Sequence, residues 1–200
     1  MVVSGFIAYP WPAMQPTTPP IGHDSSGNPA PGELELVRAF LSLHDHRRPD
    51  ESLPPSPATV EAWFRRSELV SPTERMTARD LREALDVIAG LRAGIDGPGF
   101  NVDVLDAAAE RAGLRPRFGR GVLEPIAGGP RGAIGRLLAI AFLAQRDGGW
   151  ERLRRCSADD CTAIFYDRSK NRSGRWCSMQ SCGNRAKVRA FRQRERGTRP

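Results

Sequence analysis

Long apolar runs are missing from this 200-residue chain, and none approaches the about 18 residues that a membrane span needs. The opening MVVSGFIAYPWPAMQ has no basic n-region, and Pro10 and Pro12 break its apolar stretch. No secretory signal is therefore expected, and the cytoplasm is the expected compartment. Lysine is almost missing: of 30 basic residues only Lys170 and Lys187 are lysine. The other 28 are arginine, which suits bidentate contacts to phosphate and guanine, although a GC-rich genome produces the same bias. Cysteine does not occur before Cys156. There is no phosphate loop, dinucleotide fingerprint or nucleophile elbow, so no enzyme is expected. His44-Asp45-His46 is read as a solvated helix end, because residues two apart do not share a helix face.

The charge that is present is unevenly placed. The chain carries a net +7 with a pI near 10.0, which suggests a polyanionic partner. Residues 1–150 hold 16 basic and 18 acidic side chains, a net of −2, whereas residues 151–200 hold 14 and 5, a net of +9. A turn-like break at Asp147-Gly148-Gly149 separates these parts. Residues 1–31 contain seven of the 17 prolines and are expected to be disordered. Residues 32–147 then form a helical body, and 150–196 a basic cysteine-bearing module.

Helical spacing in the body places Leu34, Val37 and Leu41 on one face of a helix from Glu33 to His46. Ser56-Pro57 reads as an N-cap followed by proline at the first helical position, opening a helix with Val60, Trp63 and Phe64. Ser71-Pro72-Thr73-Glu74 reads as a capping box, with Thr77 to Asp80 restarting the same helix. Leu81, Leu85, Ile88 and Leu91 then run to Gly94, and a further helix runs from Asn101 to Gly113. Residues 114–118 and 121–126 form a small strand pair. Gly128 to Gly132 is a loop before a last helix carrying Ile134, Leu137, Leu138, Ala141 and Phe142 on its apolar face.

The cysteines follow Cys156-x4-Cys161-x15-Cys177-x4-Cys182. Two close pairs separated by such a segment have the spacing of a structural zinc site. Two disulfides are the alternative, and a reducing cytoplasm favours one Zn2+. Four thiolates complete a tetrahedron and leave no open position for catalysis. Thr162 to Tyr166 is strand-like, and Arg175-Trp176 is the expected returning strand of a hairpin between the pairs. A helix follows Cys182, with Val188 and Phe191 expected to pack on Phe165 or Trp176. The fold class is thus a mainly α N-terminal domain with a small β-hairpin, followed by a treble-clef-like ββα zinc finger. Lys187, Arg189, Arg192 and Arg194 on the helix, with Lys170, Arg172 and Arg175 on the hairpin tip, are the candidate nucleic-acid contacts. Gly183 lets the backbone pass the metal knuckle, and Asn184 caps the helix or bonds a ligand thiolate. Arg185 reaches DNA or, in a structural role, pairs with Asp159, Asp160 or Asp167.

Arg152 to Arg194, with Phe165-Tyr166-Asp167-Arg168-Ser169-Lys170-Asn171, Arg175-Trp176-Cys177-Ser178-Met179 and Cys182-Gly183-Asn184-Arg185-Ala186-Lys187, resembles the CGNR zinc finger. The resemblance implies an N-terminal helical ABATE domain over Glu33 to about Gly149, and a bacterial, stress-induced transcription regulator. Where relatives tend to carry an Asp-Leu-Val-Asn-Thr-like stretch, this chain has Glu35-Leu36-Val37-Arg38-Ala39, without the Asn-Thr pair. The expected function is a DNA-binding regulator whose helical domain senses a small-molecule ligand or oligomerises, a homodimer enlarging a small footprint. The alternatives are an RNA- or ribosome-associated zinc protein and a zinc-stabilised protein-interaction module.

Overall fold

The computed structural model describes residues 28–43, 54–97, 99–159 and 161–197. The first 27 residues, His44-Asp45-His46 and Asp160 lie outside the described residues. Helix α1, Leu34–Leu41, ends five residues short of the expected His46. It buries Leu34, Val37, Phe40 and Leu41. Helix α2, Pro57–Arg66, starts as its cap dictates: Ser56 Oγ accepts from the Thr59 amide. Trp63 and Phe64 of α2 meet Phe40 with ring centroids 5.1 and 5.6 Å apart, an aromatic cluster at the centre of the core.

Helix α3, Ala78–Asp96, is opened by a reciprocal capping box between Thr77 and Asp80. Ser71 to Glu74, expected to do this, is a turn instead, with the Glu74 amide donating to the Ser71 carbonyl at 3.0 Å. Val70 and Met76 on either side of it are buried, which holds the segment as a compact turn and leaves Thr77 to start the helix. α3 also runs past Gly94 to Asp96. Gly94 is tolerated there because a Cβ would stand 2.4 Å from the Phe100 ring; the glycine seats the aromatic rather than ending the helix.

Helix α4, Val102–Ala112, stops at left-handed Gly113. Strands β1, Arg115–Arg117, and β2, Val122–Glu124, form the expected antiparallel pair. Helix α5, Gly129–Arg146, is the central element, and its first turn includes the glycine-rich segment expected as a loop. Ten of its residues are buried, whereas Phe142, expected on the apolar face, is 48% exposed.

After α5 a 3-10 turn, Trp150–Arg152, leads into strand β3, Leu153–Arg155, which pairs antiparallel with β4, Ile164–Tyr166. The hairpin therefore encloses the first cysteine pair rather than spanning the two pairs. Arg175-Trp176 is not a strand, although the Arg175 carbonyl accepts from the Ser157 amide at 2.8 Å. The physical reason is burial: Leu153 and Ile164 project into the core of the helical body, and Trp150 meets Phe100 at 5.1 Å. Asn28 to Ala30, expected within the disordered tail, lie beside this hairpin, and the Asn28 carbonyl accepts from the Tyr166 amide at 3.1 Å. A π-helical turn, Met179–Gly183, leads into helix α6, Asn184–Gly197, completing the ββα order. Among the described residues the chain is mainly helical with two small antiparallel hairpins.

Candidate metal centre and nucleic-acid interface

The β3–β4 connection presents the first cysteine pair. The Cys156 amide donates to the Ala163 carbonyl at 2.9 Å, and the Cys161 amide to the Ala158 carbonyl at 3.0 Å, so both thiols are held on a tight knuckle. Cys177 precedes the π-helical turn and Cys182 lies within it, and the start of the turn is capped by Ser178 Oγ accepting from the Ser181 amide. The four Sγ atoms lie within 4.8 Å of one another. Cys161 and Cys177 are 3.8 Å apart and Cys177 and Cys182 are 3.6 Å apart. Zinc–sulfur bonds of about 2.3 Å in a tetrahedron place neighbouring sulfurs about 3.8 Å apart, whereas a disulfide needs about 2.05 Å. All four cysteines are free. The spacing is that of ligands around one ion, and the four cysteines form a zinc-finger site.

Hydrogen bonding around the sulfurs supports the same reading. The Cys177 amide donates to Cys156 Sγ at 3.5 Å, and Arg185 Nη2 donates to Cys182 Sγ at 3.1 Å. Both donors stabilise negative charge on sulfur. Four sulfurs at this spacing cannot all ionise by themselves. Hydrogen bonds with Cys161 and Cys177 hold Cys156 far below the ordinary thiol value. The contact with Cys156 pushes Cys161 up to about 12 and also raises Cys177. A central dication removes this conflict by accepting four thiolates at once. Phe165, Ala163 and Trp176 pack around the cluster and give it a small apolar jacket.

Arg185, placed by sequence between DNA and Asp159, Asp160 or Asp167, thus reaches a ligand sulfur. Asn184 Nδ2 donates to the Gln180 carbonyl at 3.2 Å, tying the first turn of α6 to the preceding turn. Gly183 is needed for close approach: a Cβ there would lie 2.8 Å from Met179 Sδ and 3.3 Å from Trp176 Cδ1.

Asp167, buried at 2% exposure, organises the loop after β4. Its carboxylate accepts from the Ser169 amide at 2.9 Å and the Gly174 amide at 2.8 Å. Burial by itself raises its pKa, and these bonds outweigh that and hold the carboxyl below its ordinary value. On this loop Lys170 is exposed, Arg172 pairs with Glu151, and the Arg175 guanidinium lies 5.1 Å from the Trp176 ring centroid. On α6, Lys187, Arg189, Arg192 and Arg194 are all exposed, and Arg189 Nη1 lies 3.4 Å from Asp159 Oδ2. Val188 and Phe191 do not pack on Phe165 or Trp176; they are 48% and 56% exposed. Phe165, at 1% exposure, is already enclosed by the cysteine cluster.

Sequence reasoning missed what anchors this site to the body. Arg38 on α1 is 4% exposed. Its Nε and Nη2 donate to the Glu35 carboxylate at 2.7 and 2.6 Å, and its Nη1 donates to the Ile164 carbonyl at 2.8 Å. The Ile164 amide donates to Ser42 Oγ at 3.1 Å. The signal was present: Arg38 stands on the same face as Leu34 and Leu41, where a charge calls for a buried partner.

Among the described residues, no helix is long and apolar enough to cross a membrane. No curated protein matches the chain. Residues 152–195, which carry the whole cysteine site, the hairpin and most of α6, match the family model of the CGNR zinc finger.

Proposed function

We propose that this protein is a non-enzymatic, DNA-binding transcription regulator, with the zinc finger as its contact and the helical body as its sensing or oligomerising part. The observation that carries the reading is the surface of α6. Lys187 and Arg194 lie along one edge, Arg185, Arg189 and Arg192 along the other, and exposed Val188 and Phe191 lie between them. An α-helix with cations on both flanks fits a groove lined by phosphates, and its apolar stripe suits base edges and sugars. Lys170 adds a cation from the loop after β4. The saturated four-cysteine site supports the non-enzymatic part of the reading, since it offers a substrate no coordination position.

The test is equilibrium binding of the zinc-loaded full chain to duplex DNA and to structured RNA across a salt series. Tighter binding to duplex DNA with a steep negative salt slope supports the reading. Preference for RNA favours a ribosome- or RNA-associated role, and no binding to either at low salt favours a protein-interaction module.

A further inference from the structure

Residues 1–150 carry a net −2, yet one part of the helical body is strongly basic. The β1–β2 hairpin reads Arg115-Pro116-Arg117-Phe118-Gly119-Arg120-Gly121 before Val122, with three arginines and, up to Glu124, a single carboxylate. The register sets Arg115 opposite Glu124 and Arg117 opposite Val122, so these four share one face of the ribbon. Glu124 accepts from Arg117 Nε at 3.0 Å and from Arg120 Nη1 at 2.7 Å. It therefore braces two guanidinium groups along the ribbon while the arginine side chains stay 52% and 57% exposed. Arg117 gives Glu124 only its Nε–H, one of five N–H groups on its guanidinium.

At the tip, Phe118 is 92% exposed, the most exposed large apolar side chain among the described residues. Gly119 and Gly121 would meet nothing within 4 Å if given a Cβ, and Gly121 has φ +65°, so the turn stands clear of the body. Packing gives no reason for a phenylalanine there. A two-stranded ribbon with a cationic face and an aromatic tip has the chemistry to enter a DNA groove. There the arginines meet phosphates and the ring meets base edges.

We infer that the β1–β2 hairpin is a second DNA contact, binding the same duplex as the finger, with Arg115 on phosphate and Phe118 at the base edges. The inference rests on the DNA-binding reading above. β2 packs on α5, where a Cβ added at Gly135 would stand 3.0 Å from Pro125 Cβ, while the finger follows the C-terminal end of that helix. From Gly135 to the end of α5 at Arg146 the helix rises about 16 Å, so a hairpin contact in addition to the finger would lengthen the footprint of a single finger.

The test is fluorescence anisotropy of a labelled DNA duplex with the full zinc-loaded chain. It compares Arg115→Ala, Phe118→Ala and the finger-helix variant Lys187→Ala/Arg192→Ala, with thermal melting to confirm that each folds. For Arg115→Ala the expected result is a salt slope reduced by about one. For Phe118→Ala it is an affinity loss on the order of 10-fold with the slope unchanged. If both hairpin variants bind like wild type while the helix variant is weakened, the inference is overturned and the DNA-binding reading stands. If the hairpin variants are weakened and the helix variant is not, the hairpin contact stands and the finger-helix reading falls. If wild type fails to bind the duplex, both fall, and Phe118 becomes an anchor for a protein partner.

Discussion

Replacing Arg38 by methionine probes the joint between the finger and the body. The guanidinium is 4% exposed, and all three of its nitrogens are engaged, two by Glu35 and one by the Ile164 carbonyl. Methionine keeps much of the volume, so the cost comes from electrostatics rather than from a cavity. Glu35, its side chain 17% exposed, keeps among the described residues only the Ala30 amide at 2.7 Å. Breaking a buried pair on one side costs about 3–5 kcal/mol, because the remaining charge stays desolvated. For a chain of this size about 1 kcal/mol moves the melting midpoint by roughly 2–4 °C, so the expected loss is roughly 6–20 °C. Glu35→Leu/Arg38→Met should cost less than Arg38→Met alone, since the stranded carboxylate is gone. Ile164 is three residues from Cys161, so Arg38→Met should also speed zinc transfer to a chelating dye. Thermal melting of the two variants and a zinc-release time course provide the assays. A loss under about 1 kcal/mol for Arg38→Met, or a double variant worse than the single, would refute the reasoning.

Metal analysis of protein purified under reducing conditions should find about one zinc per chain, and replacement of any of Cys156, Cys161, Cys177 or Cys182 by serine should abolish it. Arg189→Ala/Arg192→Ala should weaken DNA binding and reduce the salt slope by roughly two with helicity unchanged; the exposed Arg189–Asp159 pair, worth about 0–1 kcal/mol, is too weak for its loss to unfold the finger. Gly174→Ala should destabilise the protein by about 1–3 kcal/mol, because the new Cβ would sit 2.7–3.0 Å from the Asp167 carboxylate, which two amides hold in place. Gly183→Ala should cost less, since its nearest clash is with the flexible end of Met179; urea midpoints in the wild type and both variants decide the order. Asp167, with its folded pKa depressed, contributes stability that is present above its unfolded pKa and lost as pH falls through the folded value. Asp167→Asn should flatten that acid limb in pH-dependent melting.

Local chemistry was legible in the chain. Ser56 followed by Pro57 and left-handed Gly113 act over three or four residues, and each opens or closes a helix where its side chain or backbone requires. Two competing caps six residues apart, at Ser71 and Thr77, were not separable that way, because burial of Val70 and Met76 decides between them. The four cysteines were legible for a related reason: ligand spacing is a local property of two knuckles, and one ion joins them.

What the amino-acid order determined by itself is the helical body, the cysteine tetrad and the concentration of arginine after residue 150. Only the tertiary structure decided which strand pairs with Ile164–Tyr166, since either neighbour satisfies its backbone and only β3 also buries Leu153 in the body core. It likewise decided that Arg38 is a buried anchor while Val188 and Phe191 are exposed. An apolar or charged residue on a helix face declares that it wants a partner, but whether one stands opposite depends on contacts more than a hundred residues away in the chain, such as that between Arg38 and Ile164.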